Sequence, residues 1–172
     1  MLTLEGCRDG HCERPCELLR RVEGQASYFL DKAGISHPPV PLDLIHSFDP
    51  IRPVEVRFLP LRAHHGAVWL LGEEWVLHLN DSQPLPMKRY VAFHEGYHIV
   101  CHVSALYERE SGDGCRPFTE ATADFFAASL LMPRQWVLAY WPEVHSVAKM
   151  AEIFQAPEPA MRSWIRRWVE HQ

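Results

Sequence analysis

His94-Glu95-Gly96-Tyr97-His98 lies within the run Lys88-Arg89-Tyr90-Val91-Ala92-Phe93-His94-Glu95-Gly96-Tyr97-His98-Ile99-Val100-Cys101-His102, and the reading of the chain turns on it. The five residues fit the pattern H-E-x-x-H. On a helix, positions four apart share a face one turn apart. Two imidazoles so placed can both reach one zinc ion through nitrogen. Glu95 stands close enough to a water in the same site to take its proton without being a ligand. Three fixed letters in five also arise by chance on surface helices. Here the flanks Val91, Ala92, Phe93, Ile99, Val100 and Val103 are apolar. A buried helix with two histidines and a glutamate is costly unless those groups are satisfied.

Zinc in a hydrolytic site takes three protein ligands and leaves a fourth position open. His102 continues the spacing, but it lies about 12 Å from His94 along a straight helix axis. The third ligand is therefore expected elsewhere, in Pro117-Phe118-Thr119-Glu120-Ala121-Thr122-Ala123-Asp124-Phe125-Phe126-Ala127-Ala128-Ser129-Leu130-Leu131-Met132-Pro133. This reads as a helix with Pro117 in its first turn and Pro133 at its stop. Glu120, Ala123, Asp124 and Ala127 share a face, and the alanines allow close approach to the motif helix. Glu120 can then reach the metal. Asp124, one turn on, can hold the far nitrogen of a ligand histidine and fix its tautomer.

These two blocks resemble the ImmA/IrrE family of metallopeptidases. The family pattern is close to R-F-x-x-A-H-E-x-x-H followed by E-x-x-A-[ND]-x-F-A-x-x-L-L-M-P. The chain departs from it at Phe93, where Ala is usual, and at Gly96-Tyr97, where a bulky apolar residue followed by Gly is usual. The resemblance runs from about Gln25 to the C-terminus. It implies an α+β, thermolysin-like core in which a small three-stranded sheet packs on the H-E-x-x-H helix and a Glu-bearing helix, with a C-terminal helical subdomain. It implies His94, His98 and Glu120 as Zn2+ ligands, with manganese or iron as other occupants, and Glu95 as general base. It further implies a cytoplasmic endopeptidase whose substrate is a helix-turn-helix repressor, often encoded next door. Cleavage would release stress, DNA-damage, mobile-element or phage-defence genes. The alternative class is a DNA- or protein-binding regulator with a non-catalytic metal site.

Composition is that of an ordinary soluble globular protein. The 172 residues are 47% hydrophobic and 23% charged, in the ordinary globular range, and fit one domain. A net charge of −5 argues against broad nucleic-acid binding. No apolar run is long enough to span a bilayer, and the first residues do not read as a signal peptide. Five cysteines without an export signal read as reduced thiols.

Residues 1–14 read as a flexible tail, residues 15–132 as the metallopeptidase core, and residues 133–172 as a helical segment completing the same domain. Cys7, His11, Cys12 and Cys16 crowd the start, but no C-x-x-C is present. A helix is expected from Pro15 to Ala33 with Gly34 at its end. An extended proline loop, His37 to Pro41, and a short helix, Leu42 to Phe48, follow. Strands are expected at Val54–Phe58, Gly66–Leu71 and Trp75–Asn80, the last two joined at Gly72-Glu73-Glu74. Trp75–Asn80 is the expected edge strand beside the metal, where an extended substrate would pair. Glu108 to Cys115 reads as a mobile loop. A helix after Pro133 is expected to stop near Tyr140, broken at Trp141-Pro142.

Three further expectations concern regulation and chemistry. Cys115, five residues before Glu120, is a possible inhibitory zinc ligand, with the thiolate occupying the open position. Arg162, Arg166 and Arg167 interleave with Trp164 and Trp168, as a surface that neutralises and stacks single-stranded DNA would. Against this, residues 133–172 carry five Lys/Arg and four Glu, and Gln155 stands where a helix-turn-helix usually has Gly. The donor that faces Glu95 across the transition state is left open among Tyr90, His102, Tyr107 and His145.

Overall fold

The computed structural model describes residues 15–62, 64–111 and 120–169. Helix α1, Pro15–Lys32, buries Val22, Ala26, Phe29 and Leu30, the face its spacing marks out. It ends as its sequence requires. Gly34 takes φ +67, Ile35 N–H bonds Leu30 O at 2.9 Å and Gly34 N–H bonds Asp31 O at 3.0 Å. That pair of bonds closes a helix on a left-handed residue, which glycine adopts without strain.

A 3₁₀ helix, Leu42–Ser47, leads to Asp49, which is 4% exposed. Asp49 Oδ1 accepts from Ile51 N at 2.9 Å and Arg52 N at 3.0 Å, and Oδ2 accepts from Trp75 Nε1 at 2.9 Å. Burial raises the carboxyl's pKa. The bonds from Trp75, Ile51 and Arg52 outweigh it, and the group ends below its ordinary value. A depressed folded pKa contributes stability that is present above the unfolded value of about 3.9 and lost as pH falls through the folded one. Asp49→Ala strands three donors and is expected to cost about 2–3 kcal/mol near neutral pH. The gap to wild type in urea titrations should narrow below about pH 4. A gap that stays constant or widens on acidification would contradict this role.

The sheet contains β1 (Val54–Leu59), β2 (Gly66–Leu71) and β3 (Glu74–Asn80) in the order β1-β3-β2. β1 runs parallel to β3, and β2 antiparallel to it. Gly72 at φ +64 opens the two-residue turn between β2 and β3, the position where a tight hairpin favours glycine. Trp75, Leu77 and Leu79 point into the core. The expectation that Trp75–Asn80 is an edge strand is thereby corrected. β3 is central and bonded on both sides, as its apolar run befits, and the edges are β1 and β2.

Helix α2, Leu85–Ser111, carries the motif. It runs past Glu108, which was expected to lie in a loop. Glu108, Arg109 and Glu110 are good helix formers, and the first glycine comes at 112. A Cβ on Gly66 would sit 2.5 Å from Val91 Cγ1, so β2 is laid close against α2 one turn before His94. A Cβ on Gly96 would sit 2.6 Å from Phe48 Cε2 and 2.7 Å from Ile45 Cδ1. This accounts for the departure from the family pattern. Gly96 admits the 3₁₀ helix and Phe48, and Tyr97 packs on Phe126 with ring centres 4.9 Å apart. Phe48 is wedged among Phe29, Phe93 and Phe126. Gly96→Ala is therefore expected to lower stability by about 1–3 kcal/mol through overpacking, despite alanine's better helix propensity of about 1 kcal/mol. A melting temperature equal to or above wild type would show that this approach is looser.

Helix α3, Glu120–Leu131, packs against both α1 and α2. It is buried on nearly every side, and its exposed residues are Glu120 and Asp124. Residues 112–119 lie outside the described residues, and with them Pro117 as a helix start. The C-terminal helices α4 (Arg134–Val144), α5 (Val147–Phe154) and α6 (Glu158–Trp168) pack on one another. α4 does not stop at Tyr140. Pro142 sits in its last turn, where its fixed φ is helical and only one bond is forfeited. Gln155 takes the left-handed conformation, φ +46, that glycine was expected to supply, and Arg89 of α2 donates to its side chain. Among the described residues no helix is long and apolar enough to cross a membrane.

Candidate metal centre

α2 and α3 meet through alanines and aromatics, which brings their polar residues together at one end. His94, Glu95 and His98 are half-buried on α2. Glu120 reaches across from the first turn of α3, its Oε2 3.0 Å from His94 Nε2. One ligand atom from each of His94, His98 and Glu120 lies within 4.8 Å of the others. Bonds of about 2.0–2.2 Å to a tetrahedral ion would set such atoms about 3.4 Å apart. Two imidazoles and a carboxylate, a step from that spacing, fit a zinc-like ion.

The opposite nitrogen of His94 is also held. Nδ1 lies 2.9 Å from Asp124 Oδ1, which fixes the ring and leaves Nε2 facing Glu120. Tyr90, one turn before His94, donates its hydroxyl to Asp124 Oδ1 at 3.3 Å and to Asp124 O at 3.3 Å. Burial drives the Tyr90 pKa well up, and the Asp124 charge adds to it, so the phenol keeps its proton as a donor. The bond to Asp124 holds the His94 pKa above its ordinary value, while burial holds that of His98 below. Burial raises the Glu95 carboxyl, and the charge of Glu120 pushes the same way against His94. Three carboxylates around two imidazoles leave the centre short of positive charge, which is the electrostatics of a cation site.

The other expected residues fall as follows. His102 packs edge-on against Trp75, ring centres 5.2 Å apart, and His145 caps α4 beside Trp141. Tyr90 stands at the cluster, but its hydroxyl is given to Asp124, a link between helices that no spacing in the sequence announces. The side chain of Tyr107 lies outside the described residues, as do Cys115, Cys7, His11, Cys12 and the side chain of Cys16. The tryptophans of the stacking surface expected on α6 are placed as follows. Trp164 is 5% exposed and donates Nε1–H to Met132 O at 2.6 Å. Trp168 packs on Trp164 and on the guanidinium groups of Arg134 and Arg167. Arg162 pairs with Glu158. Trp164 belongs to the core, and Trp168 is half-buried against it.

An α+β fold with two histidines of an H-E-x-x-H helix and a glutamate of a second helix in one cluster is the arrangement of a metallopeptidase. The family model described as the IrrE N-terminal-like domain, a peptidase family, matches residues 52–162, and the chain belongs to that ImmA/IrrE family. The match begins later than Gln25, where the resemblance was expected to start, and it spans the sheet, the cluster, α4, α5 and the first turn of α6. A search of curated proteins finds no match.

Proposed function

We propose that the protein is a cytoplasmic zinc endopeptidase that cleaves a helix-turn-helix repressor and so induces stress, mobile-element or phage-defence genes. The observation that carries the chemistry is the convergence of His94, His98 and Glu120, with Glu95 beside them and outside the donor set. In this reading His94, through Nε2, His98 and Glu120 hold the ion. When bound, such an ion supplies a Lewis acid and lowers the pKa of water. Glu95 takes the proton of the attacking water on its carboxylate and delivers it to the leaving amine. Asp124 and Tyr90 keep the His94 ring in one tautomer and orientation. β2, an edge strand laid against α2, offers backbone groups to an extended substrate.

Purified protein loaded with zinc, incubated with the repressor encoded beside its gene, tests the substrate. Two fragments whose masses sum to the repressor plus one water support the reading. An intact repressor, with a generic unfolded protein cleaved in parallel, would remove the repressor and keep the peptidase.

A further inference from the structure

β2 ends the sheet on one side, and among the described residues no strand pairs with its outer edge. Its six residues, Gly66-Ala67-Val68-Trp69-Leu70-Leu71, include no charge and no proline. A bare edge of that kind is a template for another strand, and sheets normally blunt it with charged side chains or proline. The opposite edge is blunted in this way: β1 carries the ion pair of Glu55 with Arg57 and lies between Pro53 and Pro60. Gly66, Val68 and Leu70 face α2 and the core, so Ala67, Trp69 and Leu71 face away. Trp69 is 45% exposed there and Leu71 58%. The Trp69 ring stands edge-on to His78, ring centres 4.8 Å apart.

We propose that β2 is a self-pairing edge, and that two copies of this chain join their β2 strands antiparallel into one continuous sheet. A two-fold axis normal to the sheet keeps each face with its like, so one residue must stand opposite itself. Trp69 fits that place. The outer face then sets indole against indole, and Leu71 of each copy against Ala67 of the other, large on small. The inner face sets Val68 against Leu70 at both positions. The hydrogen bonds agree. His65 O accepts from Asn80 N at 2.9 Å, so by alternation the odd positions of β2 bond β3 while Val68 and Leu70 aim their backbone groups outward. In this register Val68 and Leu70 of the two copies exchange bonds. The Trp69 pair falls at a non-bonded site, where side chains come closest. Beyond the strand, exposed His65 of one copy comes beside exposed Glu73 of the other, a ring donor beside a carboxylate acceptor. Registers centred on Val68 or Leu70 lose the indole pair. The pairing is isologous, so it closes at two copies. It also takes the edge that the peptidase reading gives to the substrate. On that reading, dimer and substrate exclude each other and the dimer is the silent form.

Sedimentation of the full chain from about 1 to about 200 μM should show a reversible dimer, as a contact smaller than a standard interface gives. Trp69→Lys opposes two like charges at the centre and should weaken the dimer at least about tenfold, with a melt confirming the fold. Trp69→Cys, oxidised, should give a covalent dimer joined at position 69, because opposed residues at a non-bonded site stand about 4.5 Å apart, within disulfide reach. Ala67→Cys should not link to itself, since its two copies stand four residues, about 13 Å, apart along the strands. A monomer throughout the range, a dimer unmoved by Trp69→Lys, or equal linkage at both positions overturns the proposal. Cleavage by wild type is followed over the same dilution. Activity per molecule that rises as the dimer dissociates supports the exclusion of substrate, and flat activity overturns it. A dimer without cleavage at any concentration leaves the pairing standing and removes the peptidase. Cleavage by a protein monomeric throughout does the reverse.

Discussion

Glu95→Gln protein is expected to keep its metal and to lose about 10²–10⁴-fold in cleavage rate, the usual weight of a general base. The substitution changes almost no volume. It removes the one thing the carboxylate does for the reaction, which is to accept a proton and return it. Glu95 stands outside the three-residue donor cluster, so the metal is not at stake. Burial already works against ionisation of Glu95, and the charge of Glu120 adds to it against that of His94. Neutralising Glu95 removes a partly buried charge, and the fold should not suffer. Metal content, a melting curve and a cleavage assay on one preparation decide the matter. Full activity would remove Glu95 as the base. Loss of metal would make it a ligand.

Much of this centre was legible because its logic is local. H-E-x-x-H states its geometry through helical spacing, and Glu120 and Asp124 repeat that spacing on a helix otherwise too apolar to leave them unexplained. α1 and its Gly34 ending were legible for the same reason. Pairing between elements was not. β3 carries the strongest strand pattern and lies just before the motif helix, which made it look like the substrate's neighbour. Strand order depends on which hydrogen-bonding edges meet, and periodicity carries no record of that. The backbone at Gln155 was not legible either. A left-handed residue usually announces itself as glycine, but a side-chain bond from Arg89, sixty-six positions away, accompanies that conformation here. Pro142 is tolerated because the helix had only one turn left to run. The tryptophans of α6 read more readily as core than as stacking platforms, and the structure buries Trp164 and leaves Trp168 half-buried.

The second large effect is expected at Glu120, and its contrast with Asp124 tests how the centre is built. Glu120→Ala leaves two imidazoles where a hydrolytic zinc site needs three ligands, so the protein should no longer retain zinc through gel filtration. Asp124→Ala leaves all three donors in place and frees the His94 ring to rotate or to take the other tautomer. Such losses weaken metal affinity or activity by about 10–100-fold. Tyr90→Phe removes a hydroxyl shared at 3.3 Å between Asp124 Oδ1 and Asp124 O, and should cost less than either. Zinc titration against a competing chelator ranks the three, and thermal melts give a second reading. A ligand that binds the folded state raises its stability. Added zinc should therefore shift the melt of wild type and Tyr90→Phe fully and that of Asp124→Ala partly. Glu120→Ala should scarcely respond. The ranking follows from which nitrogen each acid faces. Glu120 is on the Nε2 side, with His98, where the ion would sit, and Asp124 is on the Nδ1 side, behind the ring. If Asp124→Ala lost zinc and Glu120→Ala kept it, the ion would lie on the other side of His94, and the two carboxylates would exchange roles.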